Sequence, residues 1–203
     1  LTEILGDINK EPTDIILNTS GGETDATEAI VSLLQTSLPD FRVIVPHAAK
    51  SNGTMICLSS REIVMGPPSE LGPIDPSVGG TPASILSEDV VKAQNFPLHK
   101  LALYAIGQTR SLATKLLSNG MMKGKDPSEI QATVQSLASK DVFFSHGSTI
   151  DHIEAARLGL NVRFLEAQDD FWQRIWLLYS MYGHDTTNGG IVKVFEGRSL
   201  SMS

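Results

Sequence analysis

Read for its apolar spacing, the chain alternates short β-branched runs with stretches of helical period. Leu1, Ile4, Leu5 and Ile8 recur at helical spacing, and Glu11-Pro12-Thr13 closes that segment, because proline cannot continue a helix. Asp14 to Asn18 reads as a buried strand. After Thr19-Ser20-Gly21-Gly22-Glu23 comes an amphipathic helix with Ala26, Ala29, Ile30, Leu33 and Leu34 on its apolar face. Val43 to Val45 is a second strand; it breaks at Pro46, passes through small residues to Ser51, and resumes as an apolar helical segment to Leu58. Glu62 to Met65 is a third strand, and connections of these lengths suit parallel crossovers. The first half therefore predicts an α/β layered fold.

The second half is predicted to be mostly helical. Proline and glycine make Gly66 to Gly80 an irregular loop, and Glu88 to Gln94 a short helix follows. Phe96-Pro97 opens a long helix to Ser118 with Leu98, Leu101, Ala102 and Ala105 on one face. Asp126-Pro127-Ser128-Glu129 is a capped helix start ahead of the stripe Ile130, Val134, Leu137 and Ala138. A short helix from Asp151 to Leu158 and a strand from Asn161 to Phe164 come next. Asp169 to Tyr182 carries aromatic and aliphatic residues around almost its whole circumference, and Gly183 to Gly190 reads as a loop before a last strand, Ile191 to Glu196. The expectation is one domain over residues 1–203, with 169–203 as a helix-strand extension.

Composition narrows the functions open to such a fold. With 16 basic against 23 acidic residues the net charge is −7, and no basic cluster exceeds Lys123-Gly124-Lys125, so nucleic acid is not an expected partner. Cys57 stands alone, which excludes an internal disulfide and a Cys-rich zinc site. No membrane span, no metal and no nucleotide cofactor is expected, since there is no long apolar run and no Gly-x-Gly-x-x-Gly after a strand. With no signal-like segment either, a cytoplasmic location is the expectation.

The candidate chemistry sits at two strand ends. Ligands of open parallel sheets gather at the carboxyl ends of the strands, where both Gly21-Gly22 and Ser51 fall, so the two should face one cleft. A serine at a strand-helix junction either caps the helix or acts as a nucleophile beside amides that hold an oxyanion. The Gly-Gly pair is either a simple turn or a source of bare N–H groups for an oxyanion hole or an anion nest.

Asn18-Thr19-Ser20-Gly21-Gly22, then Ala49-Lys50-Ser51-Asn52-Gly53-Thr54, then Glu62 to Pro67 and Glu70-Leu71-Gly72-Pro73-Ile74-Asp75-Pro76, form an ordered set. That set resembles the serine dehydrogenase proteinase family. This family lies in the Clp protease and crotonase superfamily, with signal peptide peptidase A and the stomatin-cleaving proteases. Ser145-His146-Gly147 and Glu154 to Leu160 carry the resemblance over most of the chain.

The resemblance implies a Clp/crotonase-like layered fold of repeated ββα units, with the superfamily's usual first strands lying before Leu1. It also implies a serine peptidase that cleaves a peptide or protein through a Ser51 acyl-enzyme. The amides of Gly22 and Asn52 match the oxyanion hole, and Gly21, Gly72 and Ile74 are expected beside the substrate. The general base stays open. The stomatin-cleaving relatives pair serine with a lysine at a later helix start, which points to Lys100, with His99 next to it. His146 lies near the place of the Clp acidic residue, and Lys50, a neighbour of Ser51 on a sharp turn, is the remaining candidate. A Clp-like assembly or binding module without chemistry is the alternative function, and an acyl-CoA enzyme of the crotonase type is a third that Ser51 argues against. Assembly of the superfamily, with the aromatic helix from Asp169, points to a homo-oligomer.

Overall fold

In the computed structural model, β1 (Thr13–Ile16) leads through α1 (Thr24–Ser37) to β2 (Phe41–Val45), and β3 (Ala48–Ala49), α2 (Asn52–Leu58), β4 (Glu62–Met65) and β5 (Glu70–Leu71) follow. The hairpin β6 (Ser77–Val78) and β7 (Thr81–Pro82) and the short helices α3 (Ala83–Leu86) and α4 (Asp89–Gln94) precede the long α5 (Phe96–Asn119). The chain closes with α6 (Pro127–Leu137), α7 (His152–Arg157), β8 (Val162–Phe164), α8 (Asp170–Gly189) and the hairpin β9 (Phe195–Glu196) and β10 (Ser201–Met202). Residues 5, 12–38, 40–197 and 201–202 are described. The helix expected over the first nine residues lies outside them apart from Leu5, which is helical and buried.

One parallel sheet in the order β1-β2-β4-β8 organises these elements. Its strands alternate strictly. Val43, Val45, Ile63 and Met65 face the main core, where they meet Leu34 of α1, Leu58 of α2, Leu116 of α5 and Val134 of α6. Ile44 and Val64 point the other way, onto Leu165, Trp172 and Ile175. Both faces of the central strands are thus covered, as parallel sheets require, and the runs read as continuously apolar for that reason. At Gly66, just past β4, a Cβ would overlap the Trp172 ring, so glycine lets α8 settle on the sheet.

Several faces and boundaries depart from the sequence expectation. Helix α1 buries Thr27, Val31 and Leu34 and leaves Ala26 and Ala29 exposed; the Thr27 hydroxyl donates to Glu23 O at 3.0 Å, so its polar group is satisfied inside. Helix α5 buries His99 and Ala102 while Leu101 is exposed. Helix α8 runs on through Gly183 to Gly189 and stops at Gly190, whose φ is +64°. A glycine inside a helix costs only about 1 kcal/mol, which a helix of 20 residues absorbs. The expected strand from Ile191 shrinks to Phe195–Glu196, paired with Ser201–Met202, and the loop after Gly66 contains the two-residue strands β5 and β6. Among the described residues, no helix is long and apolar enough to cross a membrane.

Candidate active site

Ser51 occupies the elbow between β3 and α2 with φ +52° and ψ −117°. It is the one non-glycine residue with positive φ among those described, in a region that L-residues occupy only when the surroundings force them. Its side chain makes no capping hydrogen bond, so the structural role a serine commonly takes at a helix start is absent.

The Gly21-Gly22 loop closes on this elbow. Gly21 has φ +113°, and a Cβ there would lie 3.0 Å from Ser51 Cβ and 3.1 Å from Lys50 O; only glycine satisfies both the dihedral and the approach. The Gly21 amide donates to Thr19 Oγ1 at 3.1 Å. The space beside Gly22 is open, and its carbonyl accepts from Asn52 Nδ2 at 2.5 Å. Asn52 therefore fixes the glycine loop to the elbow through its side chain, a role that its sequence position did not signal.

A second, smaller ladder aligns every segment of the site. Thr19 bridges β3 in parallel, β3 pairs with β5, and Leu71 of β5 bridges Ile150 in antiparallel sense. Thr19 N donates to Ala48 O (2.8 Å), Lys50 N to Thr19 O (3.0 Å), and Leu71 and Ile150 exchange hydrogen bonds of 2.9 and 3.0 Å. The Gly21-Gly22 loop, the Ser51 elbow, the Gly72 to Asp75 segment and the loop carrying His146 thus lie side by side in that order. Ile150 is two strand spacings from Ala49, roughly 10 Å.

Side chains bind the ladder further. Lys50 Nζ reaches Leu71 O (3.2 Å), Ser148 O (3.1 Å) and Glu70 Oε2 (3.0 Å), and Thr149 Oγ1 donates to the same Glu70 oxygen at 2.5 Å. Burial works against the Glu70 charge, but the Thr149 hydroxyl and the Lys50 ammonium outweigh it and hold its carboxyl below the usual range. Lys50 is thereby turned toward carbonyls and a carboxylate on the far side of the ladder. The buried Thr54 hydroxyl lies 2.7 Å from Ala49 O and 2.8 Å from Gly72 O, and accepts from Gly72 N at 3.0 Å.

Asp75 is only 4% exposed. One of its oxygens lies 2.9 Å from His146 Nδ1 and the other 2.8 Å from Lys140 Nζ. With the proton on Nδ1, the imidazole is held by the carboxylate and presents Nε2 outward; the His146 side chain is 45% exposed. Of the other expected site residues, Gly72 is buried beside Lys50. Ile74 is buried in the main core with its amide on Leu137 O (3.0 Å). Lys100 is exposed, its Nζ 5.6 Å from the Phe96 ring. His99 is 6% exposed, and its Nδ1 has no hydrogen-bond partner among the described residues. Both belong to the first turns of α5, which joins the small cluster of Ala83, Leu86 and Ala102 rather than the ladder. The sequence reading placed Asp75 only in the motif from Glu70 to Pro76, with no role as a partner of His146, and it gave no signal for Lys140.

A parallel α/β sheet that raises a serine on a positive-φ elbow, with a glycine loop closed against it, defines a Clp-like fold with a serine-hydrolase layout. The chain belongs to the ClpP-like SDH-type serine proteinase family, which matches residues 3–188. Two uncharacterised proteins of Methanocaldococcus jannaschii are similar in sequence. One is 30% identical over 192 residues, covering 90% of this chain and 63% of that protein. The other is 32% identical over 114 residues, covering 53% and 39%. The chain therefore spans less than two thirds of the length of these relatives. Among solved structures, ClpP1 of Listeria monocytogenes superposes with a TM-score of 0.51 at 19% identity, over 83% of this chain and 81% of that one. A mutant of the same protein gives 0.50 at 17% identity over the same shares. At such identities the likeness is one of fold.

Proposed function

We propose that the chain is a serine peptidase in which Ser51 forms an acyl-enzyme with a peptide or protein substrate. The observation that carries this reading is the elbow itself: a serine held at φ +52° with its hydroxyl uncommitted to capping and a glycine loop in van der Waals reach. The backbone amides of Gly22 and Asn52 are the oxyanion donors in this reading. Gly22 rather than Gly21 takes the role because the Gly21 amide is already bonded to Thr19. His146, oriented by Asp75 at 2.9 Å, is the general base. It takes the Ser51 Oγ proton on Nε2 as Oγ bonds to the carbonyl carbon, then returns it to the leaving amine as the C–N bond breaks; water repeats the cycle to release the acid. Gly21 and Gly72 flank the reacting centre.

Labelling with a fluorophosphonate tests the proposal. The wild-type chain is expected to react and Ser51→Ala not to. His146→Gln is expected to slow labelling by about a hundredfold or more, the usual weight of a general base, while His99→Gln and Lys100→Met keep most of it. Loss confined to His99→Gln or Lys100→Met would move the base to α5. Equal silence of wild type and Ser51→Ala, with both folded, would favour a Clp-like module without chemistry.

A further inference from the structure

Asp75 gathers three separate segments on one buried carboxylate: the stretch after β5 that carries it, the turn after α6 that brings Lys140, and the loop before α7 that brings His146. The backbone joins the first two as well, since Ile74 N donates to Leu137 O at 3.0 Å. A carboxylate taken out of water needs its charge compensated. Here the two oxygens are divided, Oδ2 to the lysine at 2.8 Å and Oδ1 to the histidine at 2.9 Å. One negative charge is therefore shared between an ammonium and an imidazole that can hold or release a proton.

We infer that Lys140 is a positioning residue that sets the pH at which His146 loses its proton, by sharing Asp75 with it. The inference rests on His146 as the base for its consequence in catalysis, but the electrostatic coupling itself stands on the geometry alone. With Lys140 present, Asp75 is already neutralised and its pull on the imidazolium is reduced; with Lys140 gone, the full carboxylate charge acts on His146 and favours its protonated form. Charged groups held against the His146 loop include Lys50, bonded to Ser148 O, and Glu70, bonded to Thr149; Asp141 follows Lys140 in sequence and Asp151 caps α7 at the end of the loop. Lys50 and Glu70 pair with each other at 3.0 Å, whereas Lys140 is the cation that pairs with Asp75. Protonated His146 cannot accept the Ser51 proton. Lys140 thus widens the pH range in which the elbow reacts toward the acid side.

Two readouts test this in the full chain. In a Ser51→Ala background, the imidazole titration of His146 followed by NMR is expected to move to higher pH in Lys140→Met by about half to one pH unit, the size expected of a cation lost across a shared carboxylate from a half-exposed imidazole. Lys140→Arg, which keeps charge and donor, restores the wild-type midpoint. With Ser51 intact, the acid limb of the fluorophosphonate labelling profile is expected to follow the same shift. An NMR midpoint unmoved by Lys140→Met overturns the inference, even when labelling falls uniformly at all pH. A shifted midpoint with a labelling profile that does not follow it upholds the coupling and removes His146 from the role of base. Should Lys140→Met lose the native circular dichroism, Lys140→Gln, which retains a neutral donor for Asp75, carries the same comparison.

Discussion

Ser51 holds a backbone conformation that costs on the order of 1–3 kcal/mol, and its hydroxyl recovers none of this by capping α2. The cost is imposed by neighbours. Gly53 N bonds Lys50 O at 2.7 Å, Lys50 N bonds Thr19 O at 3.0 Å, and Gly21 packs against the Ser51 side chain. Strain kept without structural return is expected where a reactive group must be presented. Ser51→Gly should therefore raise stability by about 1 kcal/mol in chemical denaturation, the relief exceeding glycine's entropic penalty in the unfolded chain. Ser51→Ala keeps the strain and should leave stability within about half a kcal/mol, while both variants lose labelling. A Ser51→Gly variant less stable than wild type would show the elbow to be relaxed. The nearby thiol does not compete as a nucleophile, because Cys57 is buried and burial pushes its titration well up.

Among the elements, Lys50 and Glu70 together join the elbow and β5 to the loop ahead of α7, through their own pair and through Ser148 O and Thr149. Glu70 titrates below the usual carboxylate range in the fold, so its contribution is present at pH above the unfolded value and is lost as pH falls through the lowered one. Glu70→Gln is expected to cost about 1 kcal/mol at neutral pH, with the gap from wild type closing in thermal melts taken at acid pH. A gap that stays constant on acidification would mean that Thr149, not the charge, carries the tie. These contacts also mark what the sequence could convey. The strands of the parallel sheet, Gly21-Gly22 and Ser51 were legible, because β-branched runs and glycine placement are local signals. The burial of His99 in place of Leu101, and of Thr27 in place of Ala26, was not, because helix rotation is decided by what α5 and α1 pack against. The meeting of Asp75, Lys140 and His146 was invisible for the same reason: their positions are 65 and 6 residues apart along the chain and come together only when β5 pairs with Ile150.

For the molecule as a whole, the covering of the sheet is unequal. Among the described residues, the main-core face is closed by α1, α2, α5, α6 and α7, but the opposite face has α8 over β2 and β4, and Ile16 of β1 is left exposed. Helix α8 buries Trp172 and Ile175 against the sheet, while Leu177 and Met181 are strongly exposed and Phe171, Trp176 and Leu178 are exposed as well. Folded chains rarely leave an apolar surface of this kind facing water, and we expect it to meet a second copy. At a net charge of −7, copies repel one another over roughly a Debye length of 10 Å at 0.1 M salt. Association through an apolar face should therefore strengthen as salt screens that repulsion, whereas an ionic contact would weaken. Light scattering at micromolar concentration is expected to give an oligomer whose dissociation is promoted by Leu177→Glu and Met181→Glu and unaffected by Leu101→Glu on α5. Trp172→Glu is unsuited to the test, since that ring lies against Gly66 in the fold and its loss would unseat α8 from the sheet. A monodisperse monomer across the salt range refutes the expectation, and dissociation by Leu101→Glu alone would shift the contact to the exposed side of α5.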